Sequence, residues 1–170
     1  MKTMNKKIII SGLLLLIWTS AFSQAITFSA KDINNKNVTE SIFKDSKVTM
    51  INVWATFCGP CIREMPDLST LNKKYNSNDF QIVGIVIDGV NNKGVMNPKT
   101  VSSARNIVKT TGADYIHIIP DSSLFNGLLS DIYAVPTTFF VNSDGELIGQ
   151  VYTGSRSLDQ WQEIVEPLLR

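Results

Sequence analysis

The chain has 170 residues, of which 16 are basic, 15 acidic, one histidine and two cysteine, and its formal net charge is +1. With no basic excess, the composition gives no reason to expect binding to nucleic acid or to an anionic membrane surface. The length fits one domain with a core large enough to fold without disulfide staples.

The first 23 residues have the pattern of a secretory signal. Three lysines precede an apolar run from Ile8 to Trp18, and small residues follow before Gln24. The run is shorter than the roughly 20 residues that span a bilayer, and an uncleaved anchor is the alternative. We expect residues 1–23 to be a cleaved signal peptide and residues 24–170 to form one domain. Without the three lysines, that domain has 13 basic and 15 acidic residues and a formal charge of −2.

The first half of this domain predicts strands separated by one long helix. Lys47 to Ala55 is apolar or β-branched at nearly every position, which is typical of a strand buried on both faces. In chain order we expect a short strand over 26–29, a polar turn over 32–37, the buried strand over 47–55, a helix from the cysteines to about Tyr75 with a kink at Pro66, and a second buried strand over 80–88.

The second half continues the alternation and then adds a hairpin. A loop over 89–98 leads to a helix with Asn97 as its cap, Pro98 at its first position and Gly112 at its end. We then expect a short strand within 114–120, a helix over 122–132, a hairpin formed by 137–142 and 146–154, and an amphipathic helix over 157–169. This order predicts an α/β fold with a mixed sheet covered by helices on both faces.

Cys58 and Cys61 are the only cysteines, and their spacing is poor for stabilising a fold. A bridge that closes so short a loop stabilises by roughly 2 kcal/mol, against about 4.7 kcal/mol for a loop of 100 residues. Cys58 follows a strand at the start of a predicted helix, where free N–H groups and the helix dipole favour a thiolate. Cys61 lies one turn further on the same face and can attack a mixed disulfide that Cys58 forms.

Two structural interpretations of the cysteines compete with redox chemistry. A zinc site needs more ligands, and the single histidine, His117, is far along the chain, so we expect no metal. A purely structural disulfide would contribute little stability. Redox chemistry is therefore the interpretation that the spacing favours.

Two motifs carry a family resemblance. WATFCGPCIREMPDL, preceded by Asn52, and the later VPTTFFVNSDG resemble the exported TlpA/ResA-like branch of the thioredoxin superfamily. The resemblance implies a thioredoxin fold with an N-terminal extension and an insertion, the 89–98 loop, after the second core strand. It also implies that Cys58 attacks, that Cys61 resolves, and that a cis Val135-Pro136 bond faces them, where the Val135 backbone can pair with an extended substrate.

A proton acceptor for Cys61 is the next requirement. Thioredoxins have a buried aspartate at the position of Asn52, which cannot take a proton. Glu64 is three residues after Cys61 on the same helical face, and the resemblance to ResA-like proteins implies an active-site glutamate there. The alternative is a solvated helix residue that pairs with a nearby basic side chain.

Four further residues are candidates for the substrate-binding surface. Gly59 and Pro60 keep the turn between the cysteines compact and give Cys58 little steric cover. Trp54 and Phe57 flank the motif and are candidates for an apolar rim, with packing in the core as the alternative, particularly for Trp54. His117 is interpreted as a structural histidine.

The resulting interpretation is an exported thiol-disulfide oxidoreductase, in the periplasm or on the outer face of the cytoplasmic membrane. The Cys58-Cys61 pair is its only redox group, with no other cofactor. The Gly-Pro dipeptide between the cysteines resembles that of reducing members of the superfamily. The resemblance implies two kinds of partner: client proteins with cysteine pairs, such as apocytochrome c, and a membrane electron donor. An oxidant that forms disulfides, a peroxide reductase and a non-catalytic binding module are the alternatives.

Overall fold

The computed structural model of the chain describes residues 25–91 and 94–170. The predicted signal peptide, residues 1–23, lies outside the described residues. Within the described ranges, no helix combines the length and the apolar character needed to cross a membrane.

Seven strands and four α-helices make up the described part of the chain, with two short 3₁₀ helices. The strands are β1 (Ser29–Asp32), β2 (Asn37–Thr39), β3 (Val48–Trp54), β4 (Phe80–Val86), β5 (Ile116–Ile119), β6 (Thr137–Asn142) and β7 (Leu147–Thr153). The helices are α1 (Gly59–Lys74), α2 (Pro98–Thr111), α3 (Ser122–Asn126) and α4 (Leu158–Leu168). The 3₁₀ helices cover Glu40–Asp45 and Ile87–Gly89.

The strands form one mixed sheet in the order β2-β1-β5-β4-β3-β6-β7. The three central strands β5, β4 and β3 are parallel, and the outer pairings on both sides are antiparallel. Strand β3 lies between β4 and β6, and all seven of its residues are buried, as its apolar run predicts. The predicted thioredoxin-type fold is confirmed, with β1, β2 and the first 3₁₀ helix as the N-terminal extension.

Each face of the sheet has its own core. On one face, α1, α2 and α4 pack through residues such as Met65, Ala104 and Trp161. On the other, the first 3₁₀ helix and α3 contribute Phe43 and Leu124. Because α1 is held between the sheet and two other helices, its N-terminal end has a fixed position at the edge of the sheet.

Three predicted elements differ from the structure. The strand expected over 80–88 ends at Val86, because Ile87–Gly89 form a 3₁₀ helix. The strand expected over 26–29 is formed instead by Ser29–Asp32, because the Ile26 N–H donates to the Gly145 carbonyl of the β6-β7 turn rather than to a sheet neighbour. The helix expected over 122–132 ends at Asn126, since Gly127 leaves the helical conformation. Helix α2 has Asn97 as its N-cap, Pro98 at its first position and Gly112 as its C-cap, as predicted; Gly112 has a left-handed φ of 68°.

Candidate active site

The two cysteines lie where β3 passes into α1. A turn closed by the Cys58 N–H and the Ala55 carbonyl, 3.0 Å apart, connects the strand to the helix. Cys58 is the N-cap of α1, and its Sγ accepts a hydrogen bond from the Cys61 N–H at 3.2 Å. The sulfurs of Cys58 and Cys61 are bonded to each other. The sulfur of Cys58 therefore faces free N–H groups and the positive end of the helix dipole, which stabilise negative charge.

The disulfide is largely covered, and apolar side chains stand beside it. Cys58 is 7% exposed and Cys61 only 2%, whereas the neighbouring Phe57 is 78% exposed. The Val135 carbonyl oxygen lies 3.5 Å from Cys58 Sγ, and the Val135-Pro136 bond is cis as predicted. The structure thus brings Cys58, Phe57 and Val135 together at one edge, with Cys61 behind Cys58.

Trp54 does not form the rim that the sequence suggested as one alternative. Its side chain is fully buried, because it is the last residue of β3 and points into the core. The indole N–H donates to His117 Nδ1 at 3.1 Å, and His117 Nε2 donates to the Ala113 carbonyl at 3.0 Å. Burial lowers the pKa of His117 to about 4, so the ring is neutral near pH 7. His117 is a structural residue, as expected.

Glu64 lies inside the protein next to Cys61, not in solvent. Only 4% of it is exposed. Its Oε1 accepts a hydrogen bond from Asn52 Nδ2 at 3.4 Å, and the same amide donates to Thr138 Oγ1 at 3.0 Å. Its Oε2 has no hydrogen-bond partner. The alternative of a solvated helix residue is therefore wrong, and Asn52 orients the carboxyl group from the neighbouring strand.

This environment changes the acidity of Glu64. Desolvation by burial is the largest effect and raises its pKa to about 7. Three weaker effects lower the pKa: the backbone N–H of Arg156, the indole of Trp161 and the positive charge of Arg156. None of these donors reaches Oε2 in hydrogen-bond geometry. A carboxyl group with this pKa exchanges protons near neutral pH, which is what a general base requires.

Sequence reasoning missed Asp88, which binds the turn in front of Cys58. Its carboxylate accepts hydrogen bonds from the Thr56 N–H at 3.1 and 3.2 Å and from the Thr56 hydroxyl at 2.5 Å. A signal was present: Asp88 follows the buried strand β4, and β3 and β4 are parallel. Because parallel strands end at the same edge, a polar residue after β4 lies close to the residues after β3.

A metal site has no support in the described part of the chain, where no group of three or more histidine, cysteine or acidic side chains is arranged to hold an ion.

Comparison with known protein families gives a match: the sequence model of the family Redoxin matches residues 19–158. The chain belongs to the Redoxin family.

Relatives of this Redoxin chain share its cysteine chemistry. The thiol-disulfide oxidoreductase ResA of Oceanobacillus iheyensis is 26% identical over 94% of the chain and 88% of the relative. The thiol:disulfide interchange protein DsbE of Haemophilus influenzae is 29% identical over 79% of the chain and 66% of the relative. A thioredoxin family thiol:disulfide interchange protein from Chlorobium tepidum has a similar structure, with a TM-score of 0.70, 28% identity and coverage of 87% of this chain and 97% of that one. With its Cys58-Cys61 disulfide, the Redoxin chain is a thiol-disulfide oxidoreductase.

Proposed function

We propose that this enzyme reduces disulfides of client proteins outside the cytoplasm, with Cys58 as the attacking cysteine and Cys61 as the resolving one. The observation that carries the proposal is the placement of the pair: Cys58 Sγ lies at the helix N-terminus and beside the Val135 carbonyl, whereas Cys61 is almost fully covered. A client sulfur can therefore approach Cys58 but not Cys61.

The first step uses the reduced enzyme. The Cys58 thiolate attacks one sulfur of a client disulfide, so that a bond forms between Cys58 and the client while the client's own disulfide breaks. The second client sulfur leaves as a thiolate and takes up a proton. Phe57, Gly59 and Pro60 line the approach to Cys58, and the Val135 and Pro136 backbone is placed to pair with the client's extended chain.

The second step releases the client. Glu64 takes the proton of the Cys61 thiol, and the Cys61 thiolate attacks Cys58 Sγ. The mixed disulfide breaks, the client leaves with both cysteines reduced, and the enzyme is left with the Cys58-Cys61 disulfide that the structure contains. Two electrons have passed from the enzyme to the client. Trp54 supports this site from the core and does not contact the client.

The setting follows from the chain's first residues and from the direction of electron flow. We propose that residues 1–23 are a cleaved signal peptide and that residues 24–170 form the exported domain, in the periplasm or on the outer face of the cytoplasmic membrane. Such compartments oxidise dithiols, so the reduced enzyme needs a membrane electron donor to restore it. The resemblance to TlpA/ResA-like proteins favours clients such as apocytochrome c, whose cysteine pair must be reduced before haem attachment.

Trapping of the mixed disulfide tests the order of attack. The Cys61→Ser variant keeps the attacking sulfur and lacks the resolving one, so it is expected to accumulate a covalent complex with a disulfide-bonded client. Non-reducing gel electrophoresis, with and without dithiothreitol, measures the complex. The Cys58→Ser variant is the matched control and is expected to trap at least about tenfold less client, since Cys61 is buried.

The outcome also separates the alternatives. Equal trapping by both variants would contradict the assignment of Cys58 as the attacking cysteine. If neither variant traps a client, and Cys58→Ser binds clients as well as the native protein does, the domain is a binding module and not a catalyst.

A further inference from the structure

The turn before the attacking cysteine is fixed by one carboxylate. Asp88 accepts both donors of Thr56, its backbone N–H and its hydroxyl. Thr56 is the second residue of the turn that runs from Ala55 to Cys58. Asp88 therefore determines the path of the backbone that presents Phe57 and Cys58 at the surface.

Asp88 is itself held on a rigid support. It lies in the 3₁₀ helix Ile87–Gly89, directly after β4. The next residue, Gly89, packs so closely that a methyl group on its Cα would lie 2.8 Å from Cδ1 of Ile119, and the Gly89 carbonyl accepts the Asn97 N–H at 2.8 Å. This close packing and this hydrogen bond hold the segment that carries the Asp88 carboxylate.

The charges around Cys58 come from few groups. Arg63 lies over the motif, since a methyl group on Gly59 would be 3.3 Å from Arg63 Nη1. Glu64 is buried next to Cys61. The segment 132–138, which faces Cys58 on the other side, contributes only the exposed phenol of Tyr133. None of the ion pairs among residues 25–91 and 94–170 involves Asp88, so no salt bridge neutralises its charge.

We propose that Asp88 is a positioning residue with a second, electrostatic effect: it holds the turn in front of Cys58 and, as an uncompensated anion, opposes ionisation of the Cys58 thiol. The helix N-terminus and Arg63 favour the thiolate, and Asp88 acts against them. A less stable thiolate means a less stable reduced form relative to the disulfide, which makes the enzyme a stronger reductant. The inference rests on the proposed role of Cys58 as the attacking cysteine.

Two substitutions separate the two effects. Asp88→Asn removes the charge and keeps an oxygen that can accept from Thr56, whereas Asp88→Ala removes both the charge and the acceptor. Asp144→Asn is the matched control, because Asp144 is exposed in the β6-β7 turn and far from the cysteines in the fold. The measurement is the rate of alkylation of the reduced protein by iodoacetamide between pH 5 and 10, with mass spectrometry to follow Cys58 alone.

We expect Asp88→Asn to raise the acid dissociation constant of Cys58 roughly tenfold. The alkylation rate at the high-pH plateau should fall only about two- to threefold, because a less basic thiolate is a weaker nucleophile. Where Cys58 is fully ionised, the roughly tenfold change in its acid dissociation constant makes the reduction potential about 30 mV more positive. Asp88→Ala should show this shift and should also reduce a client disulfide more slowly at the plateau than Asp88→Asn does, because the turn is no longer held. Asp144→Asn should match the native protein.

An Asp88→Asn variant with the native alkylation profile would overturn the electrostatic effect, and exchange rates in folded Asp88→Ala equal to those of Asp88→Asn would overturn the positioning role. Circular dichroism confirms that each variant is folded. A failure of the proposed function can be told apart from a failure of this inference, because the native protein itself would then not reduce clients.

Discussion

Glu64 shows at the scale of one residue how burial produces a functional group. The same carboxyl group on the surface of α1 would be ionised at neutral pH and far from the cysteines. Inside the protein, its Oε1 has the Asn52 amide as a donor and its Oε2 has none, and its pKa is about 7. The asparagine that replaces the aspartate of thioredoxins therefore has a use: it orients the carboxyl group that we propose as the base.

Replacing Glu64 by Gln should change the pH dependence of stability. The folded pKa of about 7 lies above the ordinary glutamate value of 4.5, so the native state binds the proton more tightly than the unfolded state. The contribution of Glu64 to stability is therefore fully present below pH 4.5 and is lost as the pH rises to 7. The size of the pKa difference sets the expected loss. Over this range the free energy of unfolding should fall by about 3 kcal/mol more in the native protein than in Glu64→Gln.

Urea unfolding of the oxidised protein at several pH values between 4 and 8 measures this difference. His117, whose lowered pKa acts in the opposite direction, is present in both proteins and cancels in the comparison. Glu163→Gln, at an exposed position of α4, is the control for the loss of one negative charge. Parallel pH profiles for the native protein and Glu64→Gln would show that Glu64 has the same pKa in the folded and unfolded states, and would contradict the raised pKa.

At the scale of elements, the regular parts of the fold were predictable because local pattern and burial agree in them. Strand β3 is apolar at almost every position and is buried throughout, and α2 has a cap and a terminal glycine in its sequence. Helix α3 was predicted too long, because the apolar residues after Gly127 suggested a continuing helix although that glycine ends it.

The candidate site was predictable where residues are close in sequence and not where the fold brings them together. Cys58 is the N-cap of α1, and Cys61 and Glu64 follow at intervals of three residues, so each lies about one helical turn from the next. The partners Asn52 and Asp88 come from β3 and from the end of β4, and their contacts depend on strand order. Periodicity does not determine strand order.

The packing of β4 against β5 gives a prediction at this scale. A methyl group on Gly84 would lie 2.3 Å from Nδ1 of His117 and 3.1 Å from Nε1 of Trp54. Gly84→Ala must therefore displace the histidine that supports Trp54, and we expect it to lower the free energy of unfolding by about 1 to 3 kcal/mol.

A double-mutant cycle tests the stated cause of this loss. His117→Ala removes the ring, so adding Gly84→Ala in that background should cost clearly less than it does in the native protein. Urea unfolding of the four proteins gives the coupling energy. Additive losses would mean that the cost of the alanine arises elsewhere in the strand.

At the scale of the whole molecule, the fold places Cys58 Sγ beside the Val135 carbonyl and covers Cys61 almost completely. The central parallel strands end at the edge where α1 begins, and β6 enters from the other side with the Val135 backbone. The side chains that pack α1 and Val135 against the sheet come largely from residues other than Cys58 and Cys61. We therefore expect the pair to open and close while the fold stays intact.

The most direct test is the reduction potential of the purified fragment 24–170, measured by equilibration with glutathione or dithiothreitol at pH 7 while circular dichroism follows the fold. A reductant that uses the Cys58-Cys61 pair is expected near the value of thioredoxin, about −270 mV, with no change in secondary structure. A value near about −120 mV would make the protein an oxidant, and a pair that is reduced only when the domain unfolds would make the disulfide structural. Either of these results would contradict the account.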